Sequence, residues 1–466
     1  MTFTVSTVPF IVLIAILYVV AKKNFLPVLL FSTIFQGAAL VIIGGGTSGL
    51  ALSPAQIVLV LLIMQKLYQD QELTRKRPQG QKNVTASLFA YGLYALLTAV
   101  FCPFLFQGIL VSNPRSGMGV PLDWSMYNVT QGIYLFLGIA VFWLCVYRSS
   151  KSEVERALDW YLAGATLAAF IAMYQYVAFN TGLPFPSDIL HSNSQHTIFE
   201  AYDLGGFTRV NSTFTEAAAA AGCFSTALAL ALWRALFVEC NGKLIVCLVS
   251  LFTGLFLTRS TTGYVALAFI VLVTVFLYLK KAVIPPKVRL FRNCLAVALL
   301  FGVVIGFLLP DVRAQVSDLL DKVVFKKTKS ASYEERTAWN QSALMAGAQS
   351  HWVGAGWGSL RASSLVANIL GTVGIPGLFL FMSFCFLDMR FAVKSDTPTS
   401  LMQKSAVLPI LVSLLDCVLA GPEMTDPVVW FLFGVAAFVD PKSIGLASQP
   451  VLPLEIPTRR KTFANS

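Results

Sequence analysis

The chain has 466 residues, of which 56% are hydrophobic and only 12% charged, with a mean hydropathy of +0.72. Soluble globular chains carry about 25% charged residues, so a soluble enzyme or binding module is excluded. The formal charge of +11 is concentrated in short loops between apolar runs, as a collar attracted to anionic lipid and not as a nucleic-acid surface.

Apolar runs of about 17 to 22 residues recur, each long enough to cross a hydrocarbon core of about 30 Å as a helix. The period-two alternation of a membrane barrel is absent. Thirteen spans are predicted, over residues 3–21, 25–43, 52–68, 84–106, 128–147, 157–179, 213–233, 243–258, 262–279, 293–309, 370–388, 405–420 and 427–440. The last two are short, so the expected fold class is an all-α polytopic membrane protein of about 12–13 transmembrane helices. No basic stretch precedes the first run, and Lys22 and Lys23 follow it. It reads as an inserted helix with its N-terminus outside, not as a signal peptide.

Alternating loops then hold 24 of the 34 Lys and Arg residues, from Lys22 to Lys461, on the cytoplasmic side. The other 10 fall outside: Arg115, Arg209, Arg259, Arg313, Lys322, Lys326, Lys327, Lys329, Arg336 and Arg361. This bias orients the chain and places a long helical periplasmic loop between spans 10 and 11. Residues 1–440 are expected to form one transmembrane domain, and 441–466 a flexible, proline-rich cytoplasmic tail. No cysteine lies well inside an outer loop, and no His, Cys or carboxylate cluster has metal-ligand spacing. Neither a disulfide framework nor a metal or cofactor is expected.

Three outer segments, 107–127, 180–212 and 310–369, are longer than connectors need to be, which is the usual mark of functional loops. They hold all three histidines, His191, His196 and His351. Arg259 stands apart from them in the short turn "LTRSTTG", the only charge between Lys243 and Lys280. Either it caps the preceding helix and reaches lipid headgroups, or it holds an anion at the bilayer surface. The third segment opens with Val312, Val316, Leu319, Leu320, Val323 and Val324 at helical spacing, fitting a helix on the membrane surface or one packed on its neighbours. A second helix starts near Ser332 with Glu334 and Glu335 in its first turn, where a helix dipole favours them. Arg336 follows, and an arginine fork suits phosphate oxygens. Glycines 354, 356 and 358 permit close backbone approach but follow a helix, so they are no dinucleotide fingerprint.

These stretches resemble the O-antigen ligase and O-antigen polymerase superfamily of bacterial envelope enzymes. "GGFTRVNSTFTEAAAAAG" (205–222), "LTRSTTGYVAL" (257–267), "EERTAWNQSALMAGAQSHWVGAGWGSL" (334–360) and "GTVGIPG" (371–377) carry the likeness, which spans roughly residues 205–385. The resemblance implies a metal-independent inner-membrane glycosyltransferase acting on undecaprenyl-diphosphate-linked oligosaccharide at the periplasmic face, alongside flippase and chain-length regulator proteins. It implies that Arg209, Arg259 and Arg336 grip the donor diphosphate. Glu216, which opens a helix from the outer side, is the preferred base; a plain helix-start carboxylate is the other reading, and Glu200, Asp203 and Glu335 are alternatives. Arg361, Asn211, Ser260, Thr261, Glu335 and His351 complete the expected substrate-binding set.

Ligases of the superfamily place a histidine about eleven residues before the first glycine of the next span. Here that count reaches Ser363, beside Ser364 and near Arg361. The absence of a histidine favours a polymerase over a ligase. A transporter or flippase is the alternative from another class, and a nonenzymatic scaffold the third. Few ionisable groups fall within spans: Lys66 and Asp159 lie near inner ends and Asp416 toward an outer one, with Glu423 and Asp426 beyond it as acceptor-binding or merely interfacial carboxylates.

Overall fold

The computed structural model describes residues 2–43, 50–69, 77–113, 117, 119–194, 209–279, 331–422 and 424–440. These form a helical bundle in chain order: α1 (Thr7–Val20), α2 (Phe25–Ser32), α3 (Pro54–Tyr68), α4 (Gln79–Leu105), α5 (Met126–Arg148), α6 (Lys151–Thr181), α7 (Ser187–Leu190), α8 (Ala217–Phe237), α9 (Gly242–Leu257), α10 (Thr261–Leu279), α11 (Ala331–Gln349), α12 (Leu365–Thr372), α13 (Gly374–Lys394), α14 (Ser400–Leu419) and α15 (Pro427–Ala437). Helices α4, α5, α6, α8, α13 and α14 are long and apolar enough to cross a membrane, and α1, α3, α9, α10 and α15 are shorter apolar helices. The chain is thus an all-α polytopic membrane protein. The expected span at 293–309, the surface helix at 312–324 and the tail at 441–466 lie outside the described residues.

Local chemistry explains the helix starts. Ser53 with Gln56, and Ser150 with Glu153, form reciprocal capping boxes, satisfying donors that the first turn leaves open. Gly182, in the left-handed region at φ 74°, ends α6.

One expected span is corrected. Residues 25–43 are not one helix: α2 stops after eight residues, and Val41–Ile43 is instead a strand, β2. It pairs antiparallel with β1 (Thr2–Phe3) and β3 (Leu50–Leu52). Gly37 is the cause. Its N–H donates to Thr213 O at 2.8 Å, its carbonyl accepts from Asn193 N at 3.0 Å, and a Cβ there would lie 2.8 Å from the His191 ring. Docking residues 190–193 and Thr213 here takes precedence over continuing the apolar helix. A second hairpin, β4 (Leu110–Ser112) with β5 (Gly119–Pro121), fills the first outer segment.

The two ends of the bundle differ chemically. At the basic end Arg77 donates to Val439 O (3.3 Å), Gln81 to Ala437 O (2.9 Å), Arg148 to Lys66 O (3.0 Å) and Arg156 to Ala21 O (3.4 Å). Lys66, 2% exposed, meets Glu153 at 2.7 Å. Glu153 also accepts from Asn24 Nδ2 at 2.6 Å and Ser150 N at 2.7 Å, so α2, α3 and α6 share one carboxylate. Breaking a buried pair strands a charge at a cost of about 3–5 kcal/mol; Glu153 is still 19% exposed, which sets the expectation at the low end. Lys66→Met should therefore destabilise by about 3 kcal/mol, with Lys66→Met/Glu153→Leu recovering most of the loss. Denaturant unfolding in detergent measures both, and a double variant no better than the single would mean that packing, not charge, holds this end.

Candidate functional site

The opposite end gathers the sequence-identified arginines on three separate elements. The segment before α8 is tied down first. Gln175 on α6, 0% exposed, accepts from Asn211 N (3.1 Å) and Ser212 N (2.7 Å) and donates to Asn211 Oδ1 (2.8 Å). Asn211 Nδ2 donates to Phe214 O at 2.7 Å, and Ser212 Oγ to Ala168 O at 2.6 Å. His191 Nε2 contacts Ser212 O at 2.8 Å. Every polar group in this knot is spent internally, as burial in an apolar bundle requires. Asn211, expected to bind substrate, is a buried member of the knot, 1% exposed.

Arg209 Nε donates to Thr258 O at 3.3 Å, reaching the turn that carries Arg259. That turn ends α9 at Thr258, and Arg259 follows in the left-handed region at φ 47°. Helices commonly put glycine at this position because a Cβ costs about 1 kcal/mol there. The chain accepts that cost and keeps an arginine. Arg259 occupies the position after the Thr258 cap, and its side chain is half-buried. Ser260 is 2% exposed and shapes the turn without facing outward. Thr261 opens α10.

Arg336, in the first two turns of α11, lies 3.7 Å from Glu216 Oε2. Glu216 is the N-cap residue of α8, and its side chain does not cap its own helix. The starts of α8 and α10 are side by side: a Cβ on Gly263 would come 2.9 Å from Ala221 Cβ. The structure thus sets Arg209 beside the turn of Arg259, and Arg336 beside Glu216, on adjoining elements at one end of the bundle. Arg361 joins through Trp339, over whose ring its guanidinium sits at 3.8 Å from the centroid. Asn340 Oδ1 accepts from Ser363 N (2.8 Å) and Ser364 N (3.0 Å), setting the position of the absent ligase histidine one turn along α11 from Arg336. Glu335 is exposed beside it.

His351 is not brought in. It lies beyond the far end of α11, thirteen residues from Arg336 to Gln349, or about 20 Å along the axis at about 1.5 Å per residue. Glu200, Asp203 and His196 lie outside the described residues. Glycines 354, 356 and 358, all at positive φ, approach the protein's own backbone: Ala355 N donates to Gly371 O and Gly356 N to Thr372 O, both at 2.8 Å. Asp416 accepts from Ser225 Oγ at 2.8 Å and faces Gly222, six residues further along α8 than Glu216, or about 9 Å deeper. Asp388, within α13, is 0% exposed and neither carboxyl oxygen has a hydrogen-bond partner. Sequence reasoning missed Asp388, Gln175 and Trp339. A lone Gln in an apolar helix was the signal available for Gln175, because such a group must find partners.

Residues 246–382 match the O-antigen ligase family, which supports the resemblance to the O-antigen ligase and polymerase superfamily over that part of the chain. Arg259, Arg336 and Arg361 fall inside the matched stretch, whereas Arg209 and Glu216 lie before it. No curated protein matches the chain.

Gln175→Leu should leave the Asn211 and Ser212 amides without acceptors, at about 1–3 kcal/mol for each buried donor. The expected outcome is a lower unfolding midpoint and faster amide exchange confined to 209–214. Unchanged exchange there would show that something other than Gln175 holds Arg209.

Proposed function

We propose that the protein is a polysaccharide polymerase, joining undecaprenyl-diphosphate-linked oligosaccharide repeat units at the periplasmic face of the bacterial inner membrane into O-antigen, capsule or exopolysaccharide. The family supplies the coarser part, glycan transfer by a multi-pass membrane enzyme. The observation that supports this reading is the gathering of Arg209, Arg259 and Arg336 on adjoining elements at the bundle end opposite the basic collar. A lipid diphosphate presents its charge at that depth while its prenyl tail stays among the helices.

In this reading the acceptor hydroxyl oxygen attacks C1 of the donor sugar, and the C1–O bond to the diphosphate breaks. The electron pair goes to the diphosphate, where the guanidinium groups stabilise the growing charge. Glu216 takes the hydroxyl proton. Arg361 and Trp339, one turn along α11 from Arg336, offer a cationic and aromatic surface to the glycan. Flippase and chain-length regulator proteins are the expected partners, and the basic collar faces anionic lipid.

A ligase is the second reading, favoured by the name of the matching family. Against it stands Ser363, 5% exposed, where the resemblance calls for histidine. A transporter draws on Asp388 and Asp416 inside the bundle, but leaves the arginine cluster without a task.

Purified protein in detergent, given the lipid-linked repeat unit as sole substrate, should make a ladder of longer glycans. Arg259→Ala should slow it by about 10²–10³-fold, the usual loss on removing one charge-stabilising donor. A ladder that survives undiminished in the variant removes Arg259 from the donor site. No ladder from folded protein, with product appearing only on addition of a core-lipid acceptor, would make the enzyme a ligase.

A further inference from the structure

The three arginines stand where the bilayer surface presents phospholipid headgroups in great excess over any lipid-linked glycan. An arginine fork binds any phosphate oxygen, so an open cluster there would fill with ordinary phospholipid. The protein places a carboxylate in the way. Glu216 Oε2 lies 3.7 Å from Arg336 Nη2, with 37% and 26% of the two side chains exposed. That carboxylate is not occupied with its own helix: Ser53, Ser150, Asn24 and Asn241 all turn back to cap the helices they begin, and Glu216 does not.

We infer that Glu216 is a placeholder that makes the site selective for a diphosphate over a phosphodiester. This rests on the reading that the arginine end takes a lipid diphosphate. A ligand gains Arg336 only by displacing the carboxylate and bearing its repulsion. A phosphodiester headgroup brings one negative charge and merely exchanges one monoanion for another. A diphosphate diester brings two and can span Arg336 together with the Arg209 and Arg259 turn, so it gains more than it gives up. Specificity of this kind comes from a repulsive element directed against the wrong ligand. The pair is half-exposed and 3.7 Å long, within the range where an ion pair contributes little; a stronger pair would shut out the diphosphate too. Displacement also frees Glu216 for the acceptor hydroxyl only once the donor is seated.

The test is titration of the full chain in detergent with farnesyl-diphospho-N-acetylglucosamine, a diphosphate diester of two charges, and, separately, dioleoyl-phosphatidylglycerol. Wild type should prefer the diphosphate. Glu216→Gln should tighten the phosphatidylglycerol affinity by about two- to five-fold, the range expected for an exposed pair, with a smaller change for the diphosphate, so the preference narrows. Glu216→Asp, one methylene shorter and unable to reach Arg336, should behave like the glutamine variant and guards against a misfolded single result. An unchanged preference in both variants, with Arg336→Ala still losing diphosphate affinity, overturns the placeholder and leaves the donor site standing. Full diphosphate affinity in Arg336→Ala overturns the donor site itself, and the placeholder with it.

Discussion

The functional end depends on one amide side chain. Gln175 offers its oxygen to two consecutive backbone N–H groups, of Asn211 and Ser212, at a depth where no water would serve them. Non-helical backbone inside a membrane bundle is tolerated only when the protein satisfies it. With this acceptor supplied, the chain can leave helical geometry at 209–214, pass Ser212 through φ 55° and present Arg209 and Glu216 on either side of the knot. Without it two buried backbone N–H groups would lack this acceptor.

Arginine is used in opposite ways at the two ends. In the basic collar Arg77, Arg148 and Arg156 donate to backbone carbonyls at helix ends, and Arg77 and Arg148 also lie over the Tyr147 and Trp143 rings. These contacts bind the guanidinium groups into the scaffold and complement the negative helix C-termini. At the other end Arg259 stands in a backbone conformation that its own Cβ disfavours, and among the described residues Arg336 meets Glu216 at 3.7 Å with both side chains partly exposed. Charge is locked into the scaffold at the first end, and at the second the Arg336–Glu216 pair stays loose.

Much of this was legible in the sequence, and the exceptions have causes. Apolar length located most helices among the described residues, because burial acts on every residue of a span. The run at 25–43 misled because apolar length does not report tertiary docking: the contacts of Gly37 with residues 190–193 and Thr213 break it. Arg209, Arg259, Arg336 and Glu216 could be named individually, since a charge in an apolar chain is conspicuous. That Arg336 meets Glu216, and that His351 lies far along α11 from both, depends on how α11 packs, which spacing alone does not encode. Asn211 looked like a ligand-binding residue from its place beside Arg209, and only its partners showed that it was buried.

The turn after α11 bears on how this protein could be re-engineered. A Cβ on Gly374 would lie 1.9 Å from the Trp352 carbonyl oxygen, and one on Gly354 would lie 2.4 Å from that of Thr372. The two strands of backbone touch with nothing between them, so 350–377 behaves as a single casting rather than a loop with exchangeable parts. A chimera that grafts another relative's outer segment would have to take the whole of 347–377, with its glycines in register. A splice inside it would misplace α11, and with it Arg336, even if every residue near the arginines were kept.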